Sequence, residues 1–389
     1  MPPVGSTTSI EWTDASWNPV RGCTKVSEGC RNCWAMRMAA RFSKPGMWGH
    51  GFAEMVGGQP RWTGRVELIP AMLDLPLRWS KPSRVFLSSF DLFHESLPDH
   101  AIDSVFAVMA VGASDLRHCR ARDCDHEPCS EGLPTFARHT YQVLTKRPER
   151  MQRYVSAPGV QDRIAEALDN LGWGWSSDAA EGLCEAWPLP NVWLGTSVED
   201  QATADTRIPL LLQTPAAVRF VSYEPALGPV DFTRWTTKRS DGAWLCCECC
   251  LGDRCDDDRH CDRRSCHVCK SSGALPAGLD WIIAGGESGP GARPFDVAWA
   301  RSTIARCRAA GVACFVKQVG AEPRETGGDH LYDWPEYDVA ENCATRAGVS
   351  PAGGQWWAIP LRDRKGGDME EWPEDLRVRE FPAPPAGRS

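Results

Sequence analysis

Within the stretch "RGCTKVSEGCRNCWAMRMAARF", residues 21–42, three cysteines stand as Cys23-x6-Cys30-x2-Cys33. Disulfide frameworks favour even counts, and a closed structural zinc site takes four ligands. Three thiols in one loop leave one coordination position open, and an open position invites chemistry. The simplest group for three such thiolates is a [4Fe–4S] cluster with one iron lacking a protein ligand. The alternative is zinc, with a distant His50 or His94 completing a Cys3His set. A loop rich in Gly and Arg makes a poor core, so inert buried thiols are the weakest reading.

A second stretch, "CCECCLGDRCDDDRHCDRRSCHVC" at 246–269, holds eight cysteines together with His260 and His267. Cys246-x2-Cys249, or alternatively Cys247-x2-Cys250, pairs with Cys266-x2-Cys269 in the spacing of a tetrahedral zinc site. Cys255 and Cys261 offer ligands for another, and iron–sulfur ligation stays open, since thiolates suit both metals. Structural zinc is the expectation, because a small polar insertion lacks the apolar mass to fold without a staple. The segment "HCRARDCDHEPC" (118–129) offers Cys119, Cys124 and Cys129 with His118 or His126 in a looser pattern.

Positioning such groups needs a scaffold. Seven β-branched or aromatic runs punctuate the chain: "TSIEWT" (8–13), "RVFLSS" (84–89), "TYQVLT" (140–145), "NVWLGTS" (191–197), "AVRFVS" (217–222), "LDWIIAGG" (279–286) and "GVACFVK" (311–317). Helix-like stretches lie between several of them, as at 99–113, 149–155 and 296–311. Near-continuous apolar strands alternating with helices predict an α/β fold with a parallel sheet, and no Gly-x-Gly-x-x-Gly follows the first run. The pattern favours a partial or complete β/α (TIM-like) barrel over residues 1–320. Insertions interrupt it at about 114–139, 156–190 and 236–278, and 321–389 reads as a polar C-terminal extension with a frayed tail.

Each run ends in polar residues. They are Ser88-Ser89-Phe90-Asp91, Thr145-Lys146-Arg147, Thr196-Ser197-Val198-Glu199, Ser222-Tyr223-Glu224, Gly285-Gly286-Glu287-Ser288 and Lys317-Gln318. Barrel enzymes build their sites at the C-terminal ends of strands, so these clusters are expected to converge on one mouth. Helix capping accounts for one or two of them and accounts poorly for Lys146-Arg147 and Lys317-Gln318.

Of the 389 residues, 42% are hydrophobic and 24% charged, as in an ordinary globular protein. The N-terminus lacks the basic and apolar regions of a signal peptide, and no apolar run is long enough to span a membrane. The expected setting is a reducing cytoplasm, where eighteen cysteines suggest metal ligation more than disulfides. A net charge of −8 argues against a protein that coats nucleic acid indiscriminately. Yet residues 21–84 carry eleven Lys/Arg against four Asp/Glu, which is either a solvated basic face or a phosphate-attracting one beside the thiols. Trp12, Trp17, Trp34, Trp48 and Trp62 surround the loop; most are expected to pack, and an exposed one could stack on a base.

The cysteine loop resembles that of the radical S-adenosylmethionine (SAM) enzymes, whose usual loop after the first strand is Cys-x3-Cys-x2-Cys; here the first spacing is six. A closer resemblance covers most of the chain. The blocks "IEWTDASWNPVRGCTKVSEGCRNCWA", "FLSSFDLFH", "QVLTKRPERM", "VWLGTSVEDQ", "RFVSYEPALGPV", "DWIIAGGESGPGARP" and "CFVKQVG" resemble a phage-encoded, radical-SAM-like three-Cys-motif family. Its members are often paired with a separate three-Cys-motif partner protein. The resemblance implies that Cys23, Cys30 and Cys33 ligate three irons while the fourth chelates SAM. It implies that Ser88, Ser89 and Asp91 hold the SAM amino group. Ser197, Glu199 and Glu224 become candidates for ribose or carboxylate contacts, and Lys146, Arg147 and Lys317 for phosphate. The "GGE" usual after the second strand of radical-SAM barrels stands here as Gly285-Gly286-Glu287, so either the cofactor contacts are rearranged or that turn, whose side-chain-free backbone can approach a ligand, serves the substrate.

Two functions follow. One is a radical-SAM-type enzyme, supplied by a reductant, that modifies or repairs nucleic acid or a nucleotide. The other is a non-enzymatic, metal-stapled module that docks the partner protein or phage DNA. Hydrolytic metalloenzyme chemistry ranks last, since neither His-x-His nor His-Glu-x-x-His occurs.

Overall fold

Six of the seven apolar runs become strands where the pattern puts them. The computed structural model describes residues 8, 10–87, 90–111, 138–171, 187–236, 278–327, 333–335, 347–349 and 354–383. The strands are β1 (Ala15–Ser16), β2 (Arg84–Leu87), β3 (Thr140–Thr145), β4 (Val192–Ser197), β5 (Val218–Tyr223), β6 (Trp281–Gly285) and β7 (Ala313–Gln318). In the sheet they follow chain order, with β1 and β7 at its two ends. Among the described residues β1 and β7 do not pair, so the sheet is open and the complete barrel is not formed. The first run is also displaced: "TSIEWT" contributes no strand, and the two-residue β1 lies just beyond it. Trp12 and Thr13 are instead buried, Thr13 donating through Oγ1 to the Arg84 carbonyl at 2.8 Å.

The chain divides into two units. Met1–Thr196 with Thr214–Val218 forms the first, and Ser197–Gln213 with Arg219–Pro384 the second. In the first, β1, β2, β3 and β4 pair in parallel, with Val85 opposite Tyr141 and Tyr141 opposite Val192. Every residue of β3 after Thr140 is buried, which explains why "TYQVLT" reads as a continuous apolar run and not an alternation. Helices α1 (Trp34–Arg41), α2 (Asp99–Val111), α3 (Pro148–Val155) and α4 (Val160–Asn170) accompany these strands. Pro148 opens α3 at a position that asks for no backbone N–H, so the strand-to-helix turn after Thr145 needs only two residues.

In the second unit β5, β6 and β7 pair in parallel, Trp281 facing both Phe220 and Ala313. Helix α5 (Gln201–Leu212) opens on a capping box in which the Asp200 side chain accepts from Thr203 N. Helix α6 (Val297–Ala310) is capped by Asp296 and stopped by Gly311 at φ 66°. Residues of the C-terminal extension cover the edge of β7: Val316 N donates to Val378 O, Glu380 N to Cys314 O, and Phe381 packs on Trp281. Among the described residues, no helix is long and apolar enough to cross a membrane.

Candidate functional site: a thiol loop fastened to strand ends

The thiol loop begins at a glycine that nothing else can replace. Val20–Arg21 pairs with Glu67–Leu68, and Gly22 turns the chain at φ 89°, where an added Cβ would lie 1.8 Å from the Arg65 carbonyl oxygen. Cys23 follows. A short 3-10 turn, Glu28–Cys30, then brings the chain to Cys33, whose carbonyl receives Arg37 N at 3.2 Å as α1 starts. The spacing of Ala35, Met36, Ala39 and Ala40 gives α1 one apolar face, buried against Ala53 and Trp62 of the hairpin Ala53–Val56/Gln59–Trp62. Cys23, Cys33 and Phe90 pack on that same cluster.

A buried ionic network ties this loop to the ends of β2 and β3. Arg147, 5% exposed, donates from Nη1 to Asp91 Oδ2 at 2.9 Å and from Nε to Glu95 at 2.8 Å. Its Nη2 reaches Thr24 Oγ1 at 2.8 Å and the Thr24 carbonyl at 3.2 Å, and Nη1 lies 3.8 Å from Cys23 Sγ. Asp91 is itself saturated. Its Oδ1 accepts from Phe93 N and Thr145 Oγ1, and its Oδ2 from Lys146 N and Arg147. A guanidinium presents its donors in a rigid fork, so one side chain can hold two carboxylates and a loop at once.

The surroundings set the protonation of the thiols. Burial, then the Asp91 charge, pushes Cys23 up to about 11, against the pull of Arg147. Burial also raises Cys33, which Cys30 raises further and Lys146 lowers. Near pH 7, without a metal, both are neutral thiols. Among the described residues no group of three or more His, Cys, Asp or Glu side chains is gathered tightly enough to hold a metal ion.

The expected site residues separate into two groups, one in each unit. Cys23, Cys30, Cys33, Asp91, Lys146 and Arg147 belong to the first unit, and the network unites Cys23, Asp91, Lys146 and Arg147. Asp91 has both oxygens hydrogen-bonded and Arg147 is shared between carboxylates and the loop, so in this arrangement both fasten the loop to the strand ends. His94 is likewise committed. Ser96 N donates to its Nδ1 at 3.1 Å, leaving Nε2–H to donate to Thr24 Oγ1 at 2.9 Å, which removes it as a zinc ligand. Burial first, then Arg147, holds His94 below the ordinary imidazole range.

In the second unit Glu199 is 1% exposed and pairs with Arg207 at 3.0 Å, while the Ser197 carbonyl accepts from the same guanidinium. Glu224 pairs with Lys317 at 2.6 Å, and Glu287 accepts from Arg293 through both oxygens. Gly285 and Gly286 sit against β7 and its continuation. A Cβ on Gly286 would meet Phe295 Cβ at 2.8 Å and Val319 O at 2.9 Å, so packing, and not ligand approach, requires that glycine. Ser88, Ser89, Cys246, Cys249, Cys266 and Cys269 lie outside the described residues.

Thr24, Glu95 and Thr145 carry the network without having been marked as candidates. Thr145 stood inside the marked strand end, but nothing in the sequence signals that Thr24 meets a guanidinium 123 positions later. Comparison with curated proteins and with solved structures returns no match. A family model described as "Protein of unknown function (DUF5131)" matches residues 7–119 and 112–360, nearly the whole described chain, and the chain belongs to that family.

Proposed function

We propose that the chain is an iron–sulfur enzyme of the radical-SAM type, acting on nucleic acid or a nucleotide in a phage context, with Cys23, Cys30 and Cys33 as the cluster ligands. The observation that carries this is the fastening of the thiol loop: Cys23 and Cys33 share one apolar seat, and Arg147 locks Cys23 to the strand ends. The donor set fits the group in kind, since three thiols stand in one loop while His94 is committed to Thr24 and Ser96. Bound there, the cluster supplies one-electron reduction of the SAM sulfonium at that position.

The chain's own part is electrostatic and positional. Ligation requires Cys23 and Cys33 to lose protons that burial makes them keep. Arg147 and Lys146 offset the resulting negative charge, and Asp91 with Glu95 fixes the guanidinium against the loop. Phe90, Trp48 and the α1 cluster keep water from one side of the sulfurs. The alternative, a metal-stapled module that docks a three-Cys-motif partner protein or phage DNA, draws on the zinc-like cysteine spacing of the stretch 246–269. Structural zinc on Cys246, Cys249, Cys266 and Cys269 is compatible with either.

The test is turnover. Protein reconstituted anaerobically with iron and sulfide, reduced and given SAM, is expected to release methionine and 5′-deoxyadenosine on chromatography. A cluster-loaded, reduced sample that releases neither selects the docking module.

A further inference from the structure

Six large apolar side chains are exposed among the described residues, and five of them fall between positions 26 and 56: Val26, Trp34, Met47, Met55 and Val56. All five belong to the thiol loop, α1 or the segments just after it. Trp34 is the most exposed at 67%, while Trp12, Trp17 and Trp62 are buried. The indole follows Cys33 directly in the chain. Burying Ala35, Met36, Ala39 and Ala40 fixes the rotation of α1, and that rotation turns Trp34 and Arg41 outward, with Arg37 and Met38 half-buried between them. Arg37 is held toward Asn32 at 3.4 Å, and Arg41 lies over the Phe42 ring at 5.8 Å.

Charge accompanies the aromatic. Between residues 25 and 44 stand Lys25, Arg31, Arg37, Arg41 and Lys44 against the single acid Glu28, in a chain whose net charge is −8. Lys25, Arg31, Arg41 and Lys44 are exposed. Further along the basic segment three arginines stand in ion pairs, Arg65 with Glu67, Arg78 with Asp74 and Arg84 with Asp14. A protein-binding face concentrates aromatic residues, methionine and arginine but is depleted in lysine and in charge at its core, whereas Lys25 and Lys44 stand beside the three arginines here. A projecting indole ringed by Arg and Lys matches instead the way unpaired bases and their phosphates are held.

We propose that the outward face of α1 binds single-stranded nucleic acid, with Trp34 stacking on a base and Arg37 and Arg41 contacting flanking phosphates. This rests on the reading of the thiol site as acting on nucleic acid, and it places the bound base beside Cys33. A single strand is specified because a tryptophan face needs a base out of its stack, which a duplex does not present. The acidic remainder of the chain confines attraction to this face.

The test is fluorescence anisotropy of a labelled oligodeoxythymidylate with the full chain, at several salt concentrations and without cluster or SAM. Trp34→Ala is expected to weaken binding about 10-fold while leaving the dependence of log Kd on log salt unchanged. Arg41→Gln is expected to lower that slope by about 0.7, the signature of one lost phosphate contact on a single strand. Equal binding by native protein and Trp34→Ala overturns the proposal, as does absence of binding at low salt. If Trp34→Ala instead dissolves a self-association seen by sedimentation, with no oligonucleotide bound, the face is a protein interface and the proposal fails. Because the assay needs no iron, its failure is separable from a failure of cluster loading.

Discussion

Both units of the molecule bury an arginine against a carboxylate at a strand end, but the two pairs hold different things. In the second unit Arg207 reaches back to Glu199 and the Ser197 carbonyl, eight and ten residues away, and secures only the turn from β4 into α5. In the first unit Arg147 gathers Asp91, Glu95, Thr24 and Cys23 from two segments far from it in the chain. A local pair maintains a turn that capping residues already favour. A long-range one fixes where a loop sits, and here that loop carries the thiols. The comparison teaches that burial of an ion pair does not mark function; what it fastens does.

Arg147→Met and Arg207→Met break this comparison most strongly. Each removes the arginine counter-charge of a buried carboxylate, and each is expected to cost about 3–5 kcal/mol in urea unfolding. Only Arg147→Met should release the loop, read as faster alkylation of Cys23 under native conditions. Equal alkylation rates in the two variants would erase the distinction.

The glycines sharpen it next. Gly22→Ala combines a left-handed backbone with overlap of the Arg65 carbonyl, whereas Gly286→Ala keeps an ordinary backbone and sets a Cβ 2.8 Å from Phe295 Cβ and 2.9 Å from Val319 O. Losses of about 3 kcal/mol for the first and about 1 kcal/mol for the second are expected from thermal melts. Glu224→Gln, in the half-buried pair with Lys317, should cost about 1 kcal/mol and leave the thiol loop unaffected.

The smallest effect is a pH dependence. His139, 2% exposed, is held by burial below the ordinary 6.5 of imidazole, even though Pro76 O accepts from its Nε2. Below that value the unfolded chain binds a proton that the folded one refuses, so this contribution is full above pH 6.5 and is lost as pH falls. His139→Gln should flatten that part of the stability–pH curve relative to the native protein.

Much of the scaffold was legible because burial on both faces writes strands as unbroken apolar runs. "TYQVLT" coincides with β3, the runs at 84, 191 and 279 contain their strands, and those at 217 and 311 stop one residue short of the strand end. "TSIEWT" misled because Trp12 is buried from a turn and not a ladder, packing edge-on against Phe86, while Ile10 is only half-buried. The helix Val160–Asn170 was hidden inside a presumed insertion, though Val160, Ile164 and Leu168 repeat every four residues. At the candidate site, residue types drew attention to strand ends but not to the partners that meet there. Asp91 and Arg147 read as ligand contacts because sequence shows a charge and not the partner that consumes it. Gly286 read as an approach to ligand because sequence does not show Phe295 behind it.

The most direct test of the central claim is iron content after anaerobic reconstitution of the full chain, native against a Cys23→Ala, Cys30→Ala, Cys33→Ala variant. The native protein is expected to hold about four iron atoms per chain that the triple variant lacks, with the matching loss of the brown absorption. Equal iron in the two would show that this loop holds no cluster.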